Sequence, residues 1–218
     1  WFSEFFPSSF LERWCVMTSQ KRARVIMGKN FLGLEEVAEH FKVQFSEKDR
    51  QALAKIPYPE DVLEAARNTH VLVAGNSLSI LEIRTRVPKE TFYEYDPAWH
   101  GDSKQKFARE KCRLGWLLIR KDIVPGSTAK FYNDQRSLLG ADEEVLRAVE
   151  MVYLMALYFL ARGEKLFTRV WARTCSFSSD GDRVDVLFND GRLHISYWLD
   201  GAYDGIGLAS SRKFLKRS

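Results

Sequence analysis

Cysteine is scarce in this chain of 218 residues: Cys15, Cys112 and Cys175 are odd in number, far apart and in no Cys-x-x-Cys pair. Such spacing excludes a disulfide framework and a cysteine zinc site, and points to reduced thiols. The four histidines, His40, His70, His100 and His194, show no ligand spacing, so neither a metal nor another cofactor is expected. Long apolar runs are missing as well. The longest, residues 149–161, is interrupted by Glu150 and falls short of the roughly 18 residues that a membrane span needs. No charge cluster precedes an apolar stretch near the start, so no secretory signal is recognised and a cytoplasmic location is the expectation. Charge of one sign is lacking too. The 33 Lys and Arg face 29 Asp and Glu for a net +4, a mixed surface that weighs against a nucleic-acid footprint. There is no Gly-x-Ser-x-Gly, P-loop or Gly-x-Gly-x-x-Gly, and spacing singles out no carboxylate pair, so no catalytic residue is nominated.

What is present is enough apolar material, 45% of the residues, for a full core. Residues 1–26 read as a leader without packed structure, with Met27 as a plausible start, the alternative being an aromatic-rich amphipathic helix that docks on the rest. Residues 27–69 read as a helical segment. Leu34, Val37, Ala38 and Phe41 recur at helical spacing, Ser46 and Asp49 make a capping box, and residues 59–68 follow as a third helix behind Pro59. A strand is predicted over 69–74, opened by His70 as a structural group, then a helix over 80–86 capped by Ser77 or Ser79 and closed by Pro88. Residues 89–113 read as a surface loop leading into a short helix. The strongest strand is 115–121, and residues 142–163 form the best helix, apolar nearly all round and therefore buried.

Past that helix the pattern turns to short strands, predicted at 166–172, 183–188, 193–198 and near 206–213. Asp180-Gly181 and Asp190-Gly191 stand at two hairpin tips. Asp182, Asp185, Asp200 and Asp204 recur nearby, and no Glu closes a calcium loop, so turn chemistry accounts for most of these aspartates. Trp116, Phe131, Tyr132, Tyr153 and Trp171 are expected to be core. Helices followed by an antiparallel meander around one long helix is an α+β pattern. Residues 190–207 are dense in Gly, Asp, Tyr and Ser around Trp198, the composition of antibody binding loops, where Tyr supplies rigid contact area and Ser and Gly supply adaptable hydrogen bonds.

Val149-x-x-x-Tyr153, residues 163–167, Val170-x-Ala172-Arg173-Thr174, residues 179–184, Trp198 and Gly207-Leu208-Ala209-Ser210-Ser211-Arg212-Lys213-Phe214 together resemble a group of uncharacterised bacterial proteins. That group is similar to the variable proteins of diversity-generating retroelements. The resemblance covers residues 70–218 and implies a C-type-lectin-like α+β domain, related to the formylglycine-generating enzyme, with a long buried helix. It also implies a variable region at about 185–207, written by adenine-specific errors of a reverse transcriptase. An Asn codon altered at its adenines cannot become Lys, Glu, Gln, Met or Trp, and over residues 190–206 only Trp198 falls outside the permitted set. The calcium-binding signatures of sugar-binding lectins and the paired cysteines of the formylglycine reaction are not found, so neither activity carries over. Where the group has Asp after its tryptophan, this chain has Leu199.

The resulting expectation is a non-enzymatic protein that grips a protein or small molecule through a diversified surface. Its contacts would be His194, Ser196, Tyr197, Leu199, Gly201, Ala202, Tyr203 and Gly205, with Arg192 at the rim and Trp198 and Arg212 as structural anchors. Two alternatives are a small enzyme on the same scaffold using Trp99, His100 and Cys112, and a mildly basic binder of nucleic acid or a host factor.

Overall fold

The computed structural model describes residues 17–93 and 105–213. Packed structure begins earlier than the sequence suggests. Strand β1 (Thr18–Ser19) leads into helix α1 (Gln20–Met27), which Ser19 caps by accepting from the Arg22 amide and which buries Ala23 and Met27. The expected unpacked leader is therefore corrected over residues 18–26, because the apolar side of α1 has α4 to pack against.

β2 (Phe31–Leu32) and α2 (Leu34–Phe41) follow, with Glu36 reaching back to the Gly33 amide. α3 (Glu47–Ala52) opens on the Ser46–Asp49 capping box. β3 (Lys55–Ile56) pairs with β1, and α4 (Glu60–Ala66) starts behind Pro59. β4 (His70–Gly75) is wholly buried, and α5 (Ile80–Arg86) is capped by Ser79, with Glu82 closing the box. α6 (Lys106–Arg109) precedes β5 (Gly115–Arg120), which is antiparallel to β4. β2 lies parallel on β4, so the N-terminal segment contributes a strand to the same sheet.

α7 (Tyr132–Ser137) and β6 (Glu143–Val145) come next, and then α8 (Ala148–Arg162). Helix α8 begins later than expected because residues 143–145 join the sheet edge instead. Residues 148–158 of α8 are all buried. Its Tyr153 hydroxyl donates to the Ala74 carbonyl at 2.9 Å in β4, and Phe159 meets Phe188 with ring centroids 5.0 Å apart. One apolar helix thus ties both sheets together, which is why it has no polar face.

β7 (Trp171–Phe177), β8 (Arg183–Asn189) and β9 (Arg192–Trp198) form the meander, and β10 (Ile206–Leu208) and β11 (Ser210–Arg212) end the described chain. The meander is not purely antiparallel. β10 runs parallel to β7 in a four-stranded sheet ordered β10-β7-β8-β9, whereas β11 inserts antiparallel between β5 and β6 in a five-stranded sheet ordered β2-β4-β5-β11-β6. Ala209 is the corner between them, its amide donating to Arg173 of one sheet and its carbonyl accepting from Leu146 beside the other. The fold is mixed α+β. Among the described residues no helix is long and apolar enough to cross a membrane.

Candidate functional site

The β8–β9 hairpin turns on Asp190 (φ 48°) and Gly191 (φ 81°), the paired left-handed residues of a type I′ turn. Register then decides which side chains meet. Ala172, Val186 and Ile195 lie in one cross-strand row toward the core, so the adjoining row, Arg173, Asp185 and Ser196, faces the other side of the sheet. At the far end a further row sets Phe177, Arg183 and Trp198 side by side.

The loop at 199–205 lies over the central row. Arg173, fully buried, aims its guanidinium at the Gly201 carbonyl, the Gln135 side-chain oxygen and an Asp200 carboxylate oxygen, each at 3.4 Å. Beneath the same loop, Arg173 Nε stands 3.7 Å from a carboxylate oxygen of Asp185, which is equally buried. Burial outweighs Arg173 and Arg183 and pushes the Asp185 carboxyl up to about 7. Four more contacts hold the loop: Ala129 and Ile206 amides donate to the Tyr203 carbonyl, the Trp171 amide to the Gly205 carbonyl, and the Tyr132 amide to Asp200. Buried Gln135 donates to Ser127 and Ile206 carbonyls, and so fastens α7 under β10.

Apart from Asp200, the groups held are backbone carbonyls. The side chains of the loop point outward: Leu199 is 70% exposed, and Ala202, Tyr203, Asp204 and Gly205 are exposed with it. Trp198 is 41% exposed, tilted against Tyr203 at 5.7 Å. It is therefore not the anchor under the loop. Arg173 takes that role, and Trp198 stands at the surface beside Tyr203. Arg212 is half-buried in β11 and ion-paired to Asp142.

The nominated contact residues are not all brought together. Tyr203 meets Trp198; Leu199, Ala202 and Gly205 are exposed in the same loop, and Gly201 is half-buried against the Tyr203 ring, whereas Tyr197, paired with Val184, is exposed on the opposite face of β9. A Cβ on Gly201 would stand 2.7 Å from the Tyr203 ring, so Gly201→Ala requires that ring to swing away, whereas Tyr203→Ala removes the three atoms it would meet most closely. The expected result is that Gly201→Ala lowers the thermal midpoint alone but not in the Tyr203→Ala background, measured by calorimetry across the four-variant cycle. Arg192 and His194 lie toward the hairpin tip. His194 stacks on Tyr93 at 4.2 Å and donates from Nε2 to the Asn189 carbonyl, and burial pushes its imidazole down. Ser196 is half-buried between the two groups. Residues 184–188 are buried, and exposure resumes at Asn189 and Asp190 in the hairpin turn.

Other expectations need correcting. Phe131 is 55% exposed and Trp171 only half-buried, so neither is core, while Trp116, Tyr132 and Tyr153 are. For the enzymatic alternative, Trp99 and His100 lie outside the described residues. Cys112 is buried, and burial with the nearby Glu150 pushes its thiol up, the reverse of what a nucleophile needs. Sequence reasoning missed Arg173, Gln135 and Asp185. The available signal was an arginine amid the small residues 172–176 of a strand. Compared with known proteins, the chain matches no family model, no curated sequence and no solved structure.

Proposed function

We propose that this protein is a non-enzymatic ligand-binding protein whose C-terminal loop is a diversified recognition surface, carried on a C-type-lectin-like domain of the kind found in variable proteins of diversity-generating retroelements. One observation carries the reading. Apart from the Asp200 carboxylate, the loop at 199–205 is fixed through its carbonyl oxygens by donors from the rest of the fold, while Leu199, Ala202, Tyr203 and Asp204 expose their side chains. Side chains that take no part in holding a loop can change without cost to the fold, and a rigid aromatic cluster ringed by small polar residues is how such surfaces gain affinity. The exposed pair Trp198 and Tyr203, with Leu199 next in the chain, fits a protein or an apolar small molecule as partner.

Sequencing the 3′ end of the gene across one population tests this. Substitutions should fall at adenine positions in the codons for 192, 194, 196, 197, 199, 201–203 and 205, leaving Arg173, Asp185 and Gln135 unchanged. Substitutions spread evenly over frame and loop, with no adjacent reverse transcriptase or adenine-rich near-repeat, would defeat the reading.

A further inference from the structure

A cleft of about 810 Å³ opens beside the loop, between α7, β6 and the Phe177–Arg183 end of the four-stranded sheet. Its volume is that of a small-molecule site. The wall is built around Arg183. Its guanidinium carbon sits 3.3 Å from the centroid of the Tyr132 ring and 4.4 Å from that of Phe177, and Arg136 approaches the same Tyr132 ring at 5.8 Å. Lys213 is a third cation on the lining.

The two carboxylates in the lining do not neutralise these cations. Glu143 bonds Arg120 at 3.0 Å and Glu144 bonds Arg113 at 2.9 Å, both outside the cleft lining. Among the described residues, Arg136, Arg183 and Lys213 have no carboxylate partner. Three cations lining one cleft raise its positive potential, and a bound anion lowers it. Aromatic rings over a guanidinium leave its N–H edge to bond outward, the geometry that suits bidentate recognition of an oxyanion. Leu139, Val145 and Phe177 give the same cleft apolar walls.

We propose that this cleft binds a phosphate monoester bearing an apolar or aromatic body, its oxyanion held by Arg183, Arg136 and Lys213. This site is separate from the display loop and does not depend on the reading of that loop. Three cations favour a dianion over a single carboxylate, and the apolar walls favour an organic ester over the free ion.

Calorimetric titration of the full chain with phenyl phosphate, inorganic phosphate and benzoate tests it. Phenyl phosphate should saturate below about 10 mM and bind at least about tenfold more tightly than either other probe. Arg183→Ala should weaken it by about tenfold or more, and Arg183→Lys should fail to restore it, since an ammonium lacks the planar fork. Arg136→Gln, at an exposed position, provides the same test should Arg183→Ala not fold, and Lys48→Ala, far from the cleft, should change nothing. Phenyl phosphate that does not saturate, benzoate that binds as well, or affinity that survives both arginine changes would overturn the proposal.

Discussion

Arg173→Ala is expected to destabilise the protein by about 3–5 kcal/mol, because it takes the nearest cation from the buried Asp185 carboxyl, whose oxygens have no hydrogen bond. Both carboxylate oxygens of Asp185 already lack a hydrogen bond, so the guanidinium is the nearest compensation that carboxylate has. The same change releases the Gly201 carbonyl and the Gln135 side chain, and with them the floor of the loop. These two effects separate. Replacing the pair together, Arg173→Met with Asp185→Leu, removes both buried charges and should recover most of the lost stability. It should not recover the loop, whose amide protons should still exchange faster than in the parent. Denaturant unfolding reads the first effect and hydrogen exchange the second. Recovery of both would mean that Arg173 serves the core alone.

Acid response provides the second large effect, and it comes from two buried groups of opposite sign. His70 is buried at the start of β4, its Nδ1 beside the Thr69 hydroxyl. Burial, joined by Arg120 and Arg212, pushes its imidazole down to about 4. A depressed histidine favours folding above its ordinary value near 6.5 and loses that contribution as pH falls toward 4, roughly 2 kcal/mol between pH 7 and pH 5. Asp185 is the reverse. With its carboxyl raised to about 7, the folded state binds that proton more tightly than the unfolded chain, so stability rises by roughly 2 kcal/mol over the same fall in pH. The parent should therefore be nearly flat between pH 7 and pH 5. His70→Gln should become more stable toward pH 5, and Asp185→Asn less stable, each read from urea midpoints at fixed ionic strength. Identical slopes for both variants would contradict these assignments.

How much of this was visible in the sequence varies from element to element. Capping residues spoke clearly: Ser46 with Asp49 and Ser79 with Glu82 start helices where expected, because a side chain that satisfies an orphan amide is a local signal. Asp190-Gly191 likewise gave the hairpin, since few residues accept two consecutive left-handed conformations. Strand β7 was placed five residues too early. Its residues Arg173, Thr174, Cys175 and Ser176 look like surface, and their burial depends on partners remote in the chain: Thr174 donates to Val184, and Ser176 accepts from Ala148 at the start of α8. Helix α7 was missed because Tyr132–Ser137 carries almost no apolar periodicity and is held by Gln135 instead. The change of sheet at Ala209 has no local signature at all.

The candidate surface followed the same division. Composition located the stretch around Trp198, because Gly, Tyr and Ser in a loop are informative without knowledge of what lies beneath. It could not tell that Trp198 faces out, nor that an arginine from another strand is the anchor, since both depend on cross-strand register.

The central claim is that frame and display residues are energetically separate. Two small libraries measure it most directly, one varying residues 199, 202, 203 and 204, the other varying 127, 135 and 173, with unfolding free energy read for each member. The account predicts that loop variants stay within about 1 kcal/mol of the parent while most frame variants lose several times that. A loop library that loses stability as often as the frame library would contradict it.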